Sequence, residues 1–306
     1  MREIQRVAIL GAGAIGSYFA SRFFDTPDFS TVLIAKGPRL ERLRRDGLVI
    51  NGKPYRFLVV HPDKSPVSVD LIIVTLKHYH LEEALKGLEK LVSDTTIFLS
   101  FMNGLESEEC IGSLYGMDKV LYGISVGIDA LRQGNQVFYT KPGKHYFGEA
   151  NNVQLSQRVL QVQKTFERAG IVYETPEDML RIMWWKFMVN VGMNQASAVM
   201  RAPYGIFQDM TGAQELMEAL MREVIALAEV LGVNLSHRDI DDWYEFLNTL
   251  SPQGKTSMLQ DIEAGRKTEV EIFGGKVVEL GKTYGVPTPI NQTVLQIIRV
   301  LEQNPV

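Results

Sequence analysis

The chain has 306 residues, enough for about two domains of ordinary size, and 45% are hydrophobic against 22% charged, the balance of a globular protein with a substantial core. A formal net charge of −4 leaves no basic footprint for nucleic acid, so an anionic small molecule would have to be held by a local cluster of positive groups. The single cysteine, Cys110, excludes an internal disulfide framework or a cysteine metal cluster and reads as a small packing residue.

The N-terminal apolar run, 6–10, is too short and too soon broken by glycine for a signal peptide. No window approaches the ~20 apolar residues of a membrane span. The expectation is a cytoplasmic protein with no nucleic-acid or membrane partner. In chain order, strands are expected at 7–10, 31–35, 70–76, 96–101 and 120–126, and helices from the glycine-rich segment through 24, over 39–46 and over 80–91. Residues 48–53 carry an Asn-Gly hairpin signal with 56–60 as the returning strand, and 136–140 is expected to pair with 145–147. A helix over 152–168 and a last strand at 171–174 complete this half. Strands alternating with helices predict a parallel sheet covered on both faces, with the ligand at the carboxyl ends of its strands.

From 178 onward no strand pattern recurs. Leu216, Leu220, Val224, Leu227 and Leu231 make one apolar helix face, stopped by Gly232. Thr268 and Glu271 read as a capping box opening a helix that ends near Gly285. Pro287 and Pro289 then precede a final helix around 293–302. The expected fold class is α/β: a Rossmann-type doubly wound sheet over 1–175, followed by an all-α domain over 176–306.

Gly11-Ala12-Gly13-Ala14-Ile15-Gly16 matches G-x-G-x-x-G directly after the first strand and before a helical pattern, which is the context this fingerprint requires. The glycines would allow a tight turn, close approach of a pyrophosphate, and close packing of helix on strand. The second strand delivers no acid for a ribose 2′-hydroxyl. It delivers Lys36, with Arg39 nearby, which either pair with a 2′-phosphate or stand as solvated cations at a helix entry. The missing acid favours NADP(H) over strict NAD. Lys77 and Asn103 lie just past two strands, at the ligand edge; each also fits a solvated lysine or an Asn-Gly turn. Lys186, Asn190 and Asn194 recur at steps of four in an otherwise apolar segment, so the lysine either reaches solvent or lines a cleft. Glu269 is a candidate partner for that lysine, since Glu271 fits the capping role better. Ser257 by itself reads as a helix-start residue.

Taken together, the glycine loop, the Val-Thr-Leu-Lys segment ending at Lys77, Asn103-Gly104, the segment 184–194 and the segment 256–271 resemble the ketopantoate reductase (2-dehydropantoate 2-reductase) family over nearly the whole chain. The resemblance implies a helical domain like that of 6-phosphogluconate dehydrogenase, and NADPH-dependent reduction of ketopantoate to pantoate on the way to coenzyme A. It implies Lys186 as general acid, with Glu269 holding that lysine, the substrate and the cofactor side. It implies Asn190, Asn194, Ser257 and Lys77 as substrate residues. It implies Gly11, Ala12, Gly13, Ala14, Ile15, Gly16, Lys36, Lys77 and Asn103 as cofactor residues. Two positions depart from the family pattern: Tyr204 and Gly254 stand where members usually carry asparagine. A different 2-keto or 3-hydroxy acid is therefore a second reading. A non-catalytic NADP(H)-binding regulator is a third, and Arg201 is a conceivable alternative anion contact. A homodimer is also compatible with the apolar helices.

Overall fold

The computed structural model describes residues 3–64 and 67–303. The chain forms two compact units, residues 1–179 and 180–306.

In the first unit an eight-stranded sheet runs in the order β12-β11-β8-β7-β6-β1-β2-β5. Its strands are β1 (Arg6–Leu10), β2 (Ser30–Ile34), β5 (Leu58–Val60), β6 (Leu71–Val74), β7 (Ile97–Ser100), β8 (Val120–Ile128), β11 (Pro142–Gly148) and β12 (Tyr173–Glu174). The strands from β5 to β8 are parallel; β11 adds antiparallel to β8. A smaller sheet, β4-β3-β10-β9, is built from β3 (Leu48–Ile50), β4 (Lys53–Tyr55), β9 (Leu131–Gln133) and β10 (Gln136–Phe138). Five helices accompany them: α1 (Ala14–Phe24), α2 (Gly37–Asp46), α3 (Leu81–Leu85), α4 (Ser107–Tyr115) and α5 (Gln157–Arg168).

The expected doubly wound arrangement is present, and the continuous apolar runs explain it. Val7, Ile9, Ile73 and Leu99 face a core shared with Phe19 and Phe166. Ala8, Ile72, Val74 and Phe98 face a second core with Leu81, Leu85 and Ile111. Helices cover both faces, so these strands need no polar side. From β1 the chain winds outward to β2, then returns to β6 on the other flank. The switch point therefore lies between β1 and β6.

Several local expectations are corrected. Asn51 and Gly52 both have positive φ (47° and 80°) and make the hairpin turn, but the returning strand is β4. Residues 58–60 instead pair parallel with β2 at the sheet edge. Residues 136–138 pair with β9 and β3, and 142–148 with β8, so the late hairpin does not form. The helix expected over 80–91 ends at Leu85, where Lys86 turns to extended backbone and Gly87 follows with φ +89°. The helix expected from 152 starts at Gln157, where the Ser156 hydroxyl caps the Val159 N–H. Upstream, Asn152 is held in a turn by Glu149 and Pro176. Cys110 packs against the second core, and its thiol is pushed up by burial, as a structural cysteine should be.

The second unit contains no strand among its described residues. Its helices are α6 (Met179–Val189), α7 (Gln195–Met200), α8 (Tyr204–Asp209), α9 (Thr211–Val230), α10 (Arg238–Leu247), α11 (Ser257–Glu263), α12 (Gly274–Tyr284) and α13 (Pro289–Gln303). α6 and α7 are one long helix interrupted by a π turn at Asn190–Asn194. Buried Asn291 of α13 bonds to Glu223 of α9 (2.8 Å) and to Gln195 of α7 (2.9 Å), tying three helices together. α9 buries Leu220, Val224 and Leu227 of the expected face, but Leu216 is only half-buried, with its neighbour Met217 buried in its place, and half-buried Leu231 lies just past the helix end. The capping box is not made. Thr268 accepts from Val270 N–H but α12 begins at Gly274, and Glu271 is taken by a two-pronged bond from Arg299 (2.8 and 2.7 Å). Guanidinium–carboxylate pairing outcompetes a cap to a neutral N–H. α13 opens at Pro289 itself, a favoured first-turn residue. No helix among the described residues is long and apolar enough to cross a membrane.

Gly192, inside the π turn, lets it press onto α9. A Cβ there would lie 2.4 Å from Met221 Cγ and 2.8 Å from the Met217 carbonyl oxygen. Gly192→Ala is expected to destabilise the protein by about 1–3 kcal/mol. Chemical denaturation checks this; an unchanged midpoint would show that the turn yields freely.

Candidate functional site

The glycine loop joins β1 to α1 at the switch point. Gly11 has φ +109°, and a Cβ on it would lie 2.6 Å from the Thr75 carbonyl oxygen. On Gly16 a Cβ would lie 2.1 Å from the Gly11 carbonyl oxygen and 2.4 Å from Thr75 Oγ1. The Thr75 hydroxyl donates to the Gly11 carbonyl at 2.7 Å, so the end of β6 grips the loop. Gly13 differs. A Cβ there would meet only the Thr75 carbonyl oxygen, at 4.0 Å, so packing does not demand glycine at this position. Close approach of a ligand to the backbone would. Gly13 caps α1 without any side-chain bond, which leaves the first N–H groups of Ala14, Ile15 and Gly16 for an anion.

Three arginines gather beside this loop. Arg39 of α2 donates to the Ala12 carbonyl at 2.7 Å, and Arg132 of β9 donates to the same oxygen. Arg39, Arg42 and Arg132 line a cleft of about 370 Å³. Among the described residues none of the three forms an ion pair with a carboxylate. Burial first, then repulsion by Arg39 and Arg42, push the Arg132 guanidinium down to about 10. Like charges crowded in this way are what an anionic ligand would relieve. Lys36 is placed otherwise: its ammonium donates to the carbonyls of Lys86 (2.5 Å) and Glu83 (3.3 Å). Reasoning from sequence named Arg39 but missed Arg42 and Arg132. The missing acid at the second strand was the only local signal, and Arg132 is 120 residues away from Ala12.

Lys77 follows β6 and Asn103 follows β7, neighbouring strands, and both are half-buried at the carboxyl edge. Behind Asn103 runs a buried polar relay. The Ser100 and Ser107 hydroxyls lie 2.7 Å apart, and Ser107 donates to Glu108 at 2.8 Å. Burial raises the Glu108 carboxyl to about 7.

In the second unit the four-residue recurrence becomes geometry. Asn194 Nδ2 donates to Asn190 Oδ1 at 3.1 Å across the π turn. Ser257, the exposed first residue of α11, donates its hydroxyl to Asn194 Oδ1 at 3.2 Å. Lys186 is half-buried one turn earlier. Desolvation lowers its ammonium to about 8, opposed by the negative charge of Glu269, which is only 6% exposed. Glu302 fixes that segment by accepting from both the N–H (2.7 Å) and the hydroxyl (2.6 Å) of Thr268. A π turn in a long helix often marks a functional site, and here it presents the carboxamides. The exposed Arg201 ends α7 in left-handed backbone, φ 49°. Tyr204 N–H donates to the Gly254 carbonyl at 2.9 Å. Lys186, Asn190, Asn194, Ser257 and Glu269 thus fall in one unit, and the glycine loop with Lys77 and Asn103 in the other.

Family models for the two halves of ketopantoate reductase PanE/ApbA match residues 7–152 and, for the C-terminal part, 178–302. The chain belongs to the ketopantoate reductase family. A 2-dehydropantoate 2-reductase of Archaeoglobus fulgidus is 28% identical over 98% of this chain and 99% of that protein. One from Pyrococcus horikoshii is 29% identical over 97% of each. Among solved structures, D-mandelate dehydrogenase with NADH and anilino(oxo)acetate superposes with a TM-score of 0.89 at 22% identity, over 98% of this chain and 99% of that one, which speaks to the fold. Membership places the chain in a family of oxidoreductases.

Proposed function

We propose that this protein reduces a short branched 2-oxo acid with NADPH, with ketopantoate as the physiological substrate and pantoate as the product. The observation that carries the reading is the half-buried Lys186 facing the charge of Glu269, one turn from the Asn190–Asn194–Ser257 relay. The first unit suits a dinucleotide: Gly13 leaves its backbone open, and the N-terminus of α1 carries no side-chain cap. Bound there, a reduced nicotinamide supplies hydride to the substrate carbonyl carbon.

The chain's own task is to manage the oxygen. As hydride reaches the carbon, the carbonyl bond pair moves to oxygen, and the Lys186 ammonium gives up a proton there. A cation at a developing alkoxide favours the transition state over the ground state. Glu269 keeps the lysine protonated at neutral pH against its desolvation. Ser257 and Asn194 hold the carboxylate end, Asn190 orients the substrate, and Lys77 and Asn103 stand at the cofactor edge. Arg39 and Arg132, with Arg42, supply a pocket for a ribose 2′-phosphate, and Lys36 adds charge from its carbonyl anchors.

Lys186→Ala is expected to lower turnover of ketopantoate with NADPH by about 10²–10⁴-fold. Steady-state kinetics test it; a loss of only a few-fold removes the assigned role. Because Lys186 must be protonated to act, activity should be present below pH about 8 and decline as pH rises through it. A rate that stays flat to pH 10 would assign the proton to another group.

Removing Arg132 or Arg39 (to Ala) is expected to raise the KM for NADPH roughly 10- to 100-fold, the worth of one charged hydrogen bond, while changing that for NADH little. Equal losses for both cofactors would place the arginines elsewhere than at the 2′-phosphate.

A further inference from the structure

The π turn at Asn190–Asn194 is held from behind by a chain of polar side chains that begins at half-buried Glu223 of α9. A carboxylate only accepts, and this one takes the Ile290 N–H (2.8 Å), the Asn291 N–H (2.9 Å) and Asn291 Nδ2 (2.8 Å) at the start of α13. That fixes which way the Asn291 carboxamide points. Nδ2 faces Glu223 and the Leu220 carbonyl (3.2 Å), so Oδ1 is the atom turned to Gln195. Gln195 must then present Nε2, which donates to Asn291 Oδ1 at 2.9 Å and to the Val191 carbonyl at 2.8 Å. Both amide side chains are fully buried.

The bond to Val191 makes this chain more than a tie between helices. In an α-helix the Val191 carbonyl would take the backbone N–H of Gln195, four residues on. Here that N–H goes to the Gly192 carbonyl, and the side chain of the same residue serves Val191 in its place. The arrangement is costly, because Gln195 Oε1 is buried and accepts no hydrogen bond among the described residues. Gly274, the first residue of α12, makes room for that oxygen: a Cβ there would lie 2.2 Å from it. An apolar side chain at 195 would avoid the cost, but would leave the Val191 carbonyl and Asn291 Oδ1 without this donor.

We propose that Gln195, oriented by Asn291 and Glu223, is a positioning residue: it keeps the turn wide and so sets the angle about the helix axis between Lys186, before the turn, and Asn194 with its partner Ser257, at its end. The inference rests on the 2-oxo acid reductase reading above. A π turn absorbs one residue more than an α turn, so its collapse would rotate Lys186 by about 100° relative to Asn194. The proton donor and the carboxamides would then no longer face one site.

The test separates this role from a contribution to stability alone. Gln195→Met removes the donor at similar volume. It should lower kcat/KM for ketopantoate by about 10²-fold, the scale of an ångström-size misplacement. The KM for NADPH should stay within about twofold of native, because the glycine loop lies in the first unit. The Tm should fall, since two buried acceptors lose a donor. Adding Asn291→Leu replaces both amides by apolar groups and should recover much of the Tm, while turnover stays low. A crystal structure of the double variant should show 190–194 as unbroken α-helix. Turnover that recovers with the Tm, native turnover in Gln195→Met, a KM for NADPH that rises in step with the loss, or a π turn that persists in the double variant would each overturn the proposal. Native protein that oxidises neither NADPH nor NADH with any 2-oxo acid would instead remove the reductase reading, and the positioning role with it.

Discussion

Lys186 is half-withdrawn from water, and the negative charge of Glu269 opposes the cost of keeping it charged there. Much of the second unit serves this arrangement. Glu302, near the end of the last helix, pins Thr268 and so the segment carrying Glu269. Gly192 lets the π turn settle on α9, which sets where the helix bearing Lys186 lies. Asn291 ties α13, the helix that carries Glu302, to α9 and to α7 beyond the π turn. Compensation of a cation by a carboxylate that is itself buried needs rigid partners, because either group alone would be strongly destabilising.

The first unit meets a different constraint, that of bringing backbone close to backbone. Gly11 and Gly16 are glycines because Thr75 and the Gly11 carbonyl leave no room for a Cβ, while Gly13 has room to spare. Two glycines of the loop are fixed by packing, and the middle one is left uncrowded.

How much of this was legible in the sequence depended on distance along the chain. The central strands and α1, α2 and α9 follow from continuous or periodic apolar runs, which are local. The pairing of β5 and β10 was misjudged because strands of three residues carry little pattern, and that of the longer β11 because the partners of all three are chosen by the sheet as a whole. The spacing of Lys186, Asn190 and Asn194 placed them on one face, but the π turn between the carboxamides leaves no trace in a four-residue recurrence. Glu271 looked like a cap because its competitor, Arg299, lies 28 residues further on. Arg132 was invisible as a neighbour of Ala12 for the same reason. Tyr204 and Gly254 stood out separately as departures from a pattern; that the N–H of one bonds to the carbonyl of the other is a property of the folded loop.

The arginines beside the glycine loop are carried by α2 and by β9 of the small sheet, outside the strands that build the main core. Their attachment to the loop is a pair of side-chain bonds to one carbonyl oxygen. Neither bond involves a side chain of β1, of α1 or of Thr75. On the proposed assignment, the preference for one nicotinamide cofactor rests on side chains borne at the margin of the first unit, so selection could revise the electron source without touching Lys186.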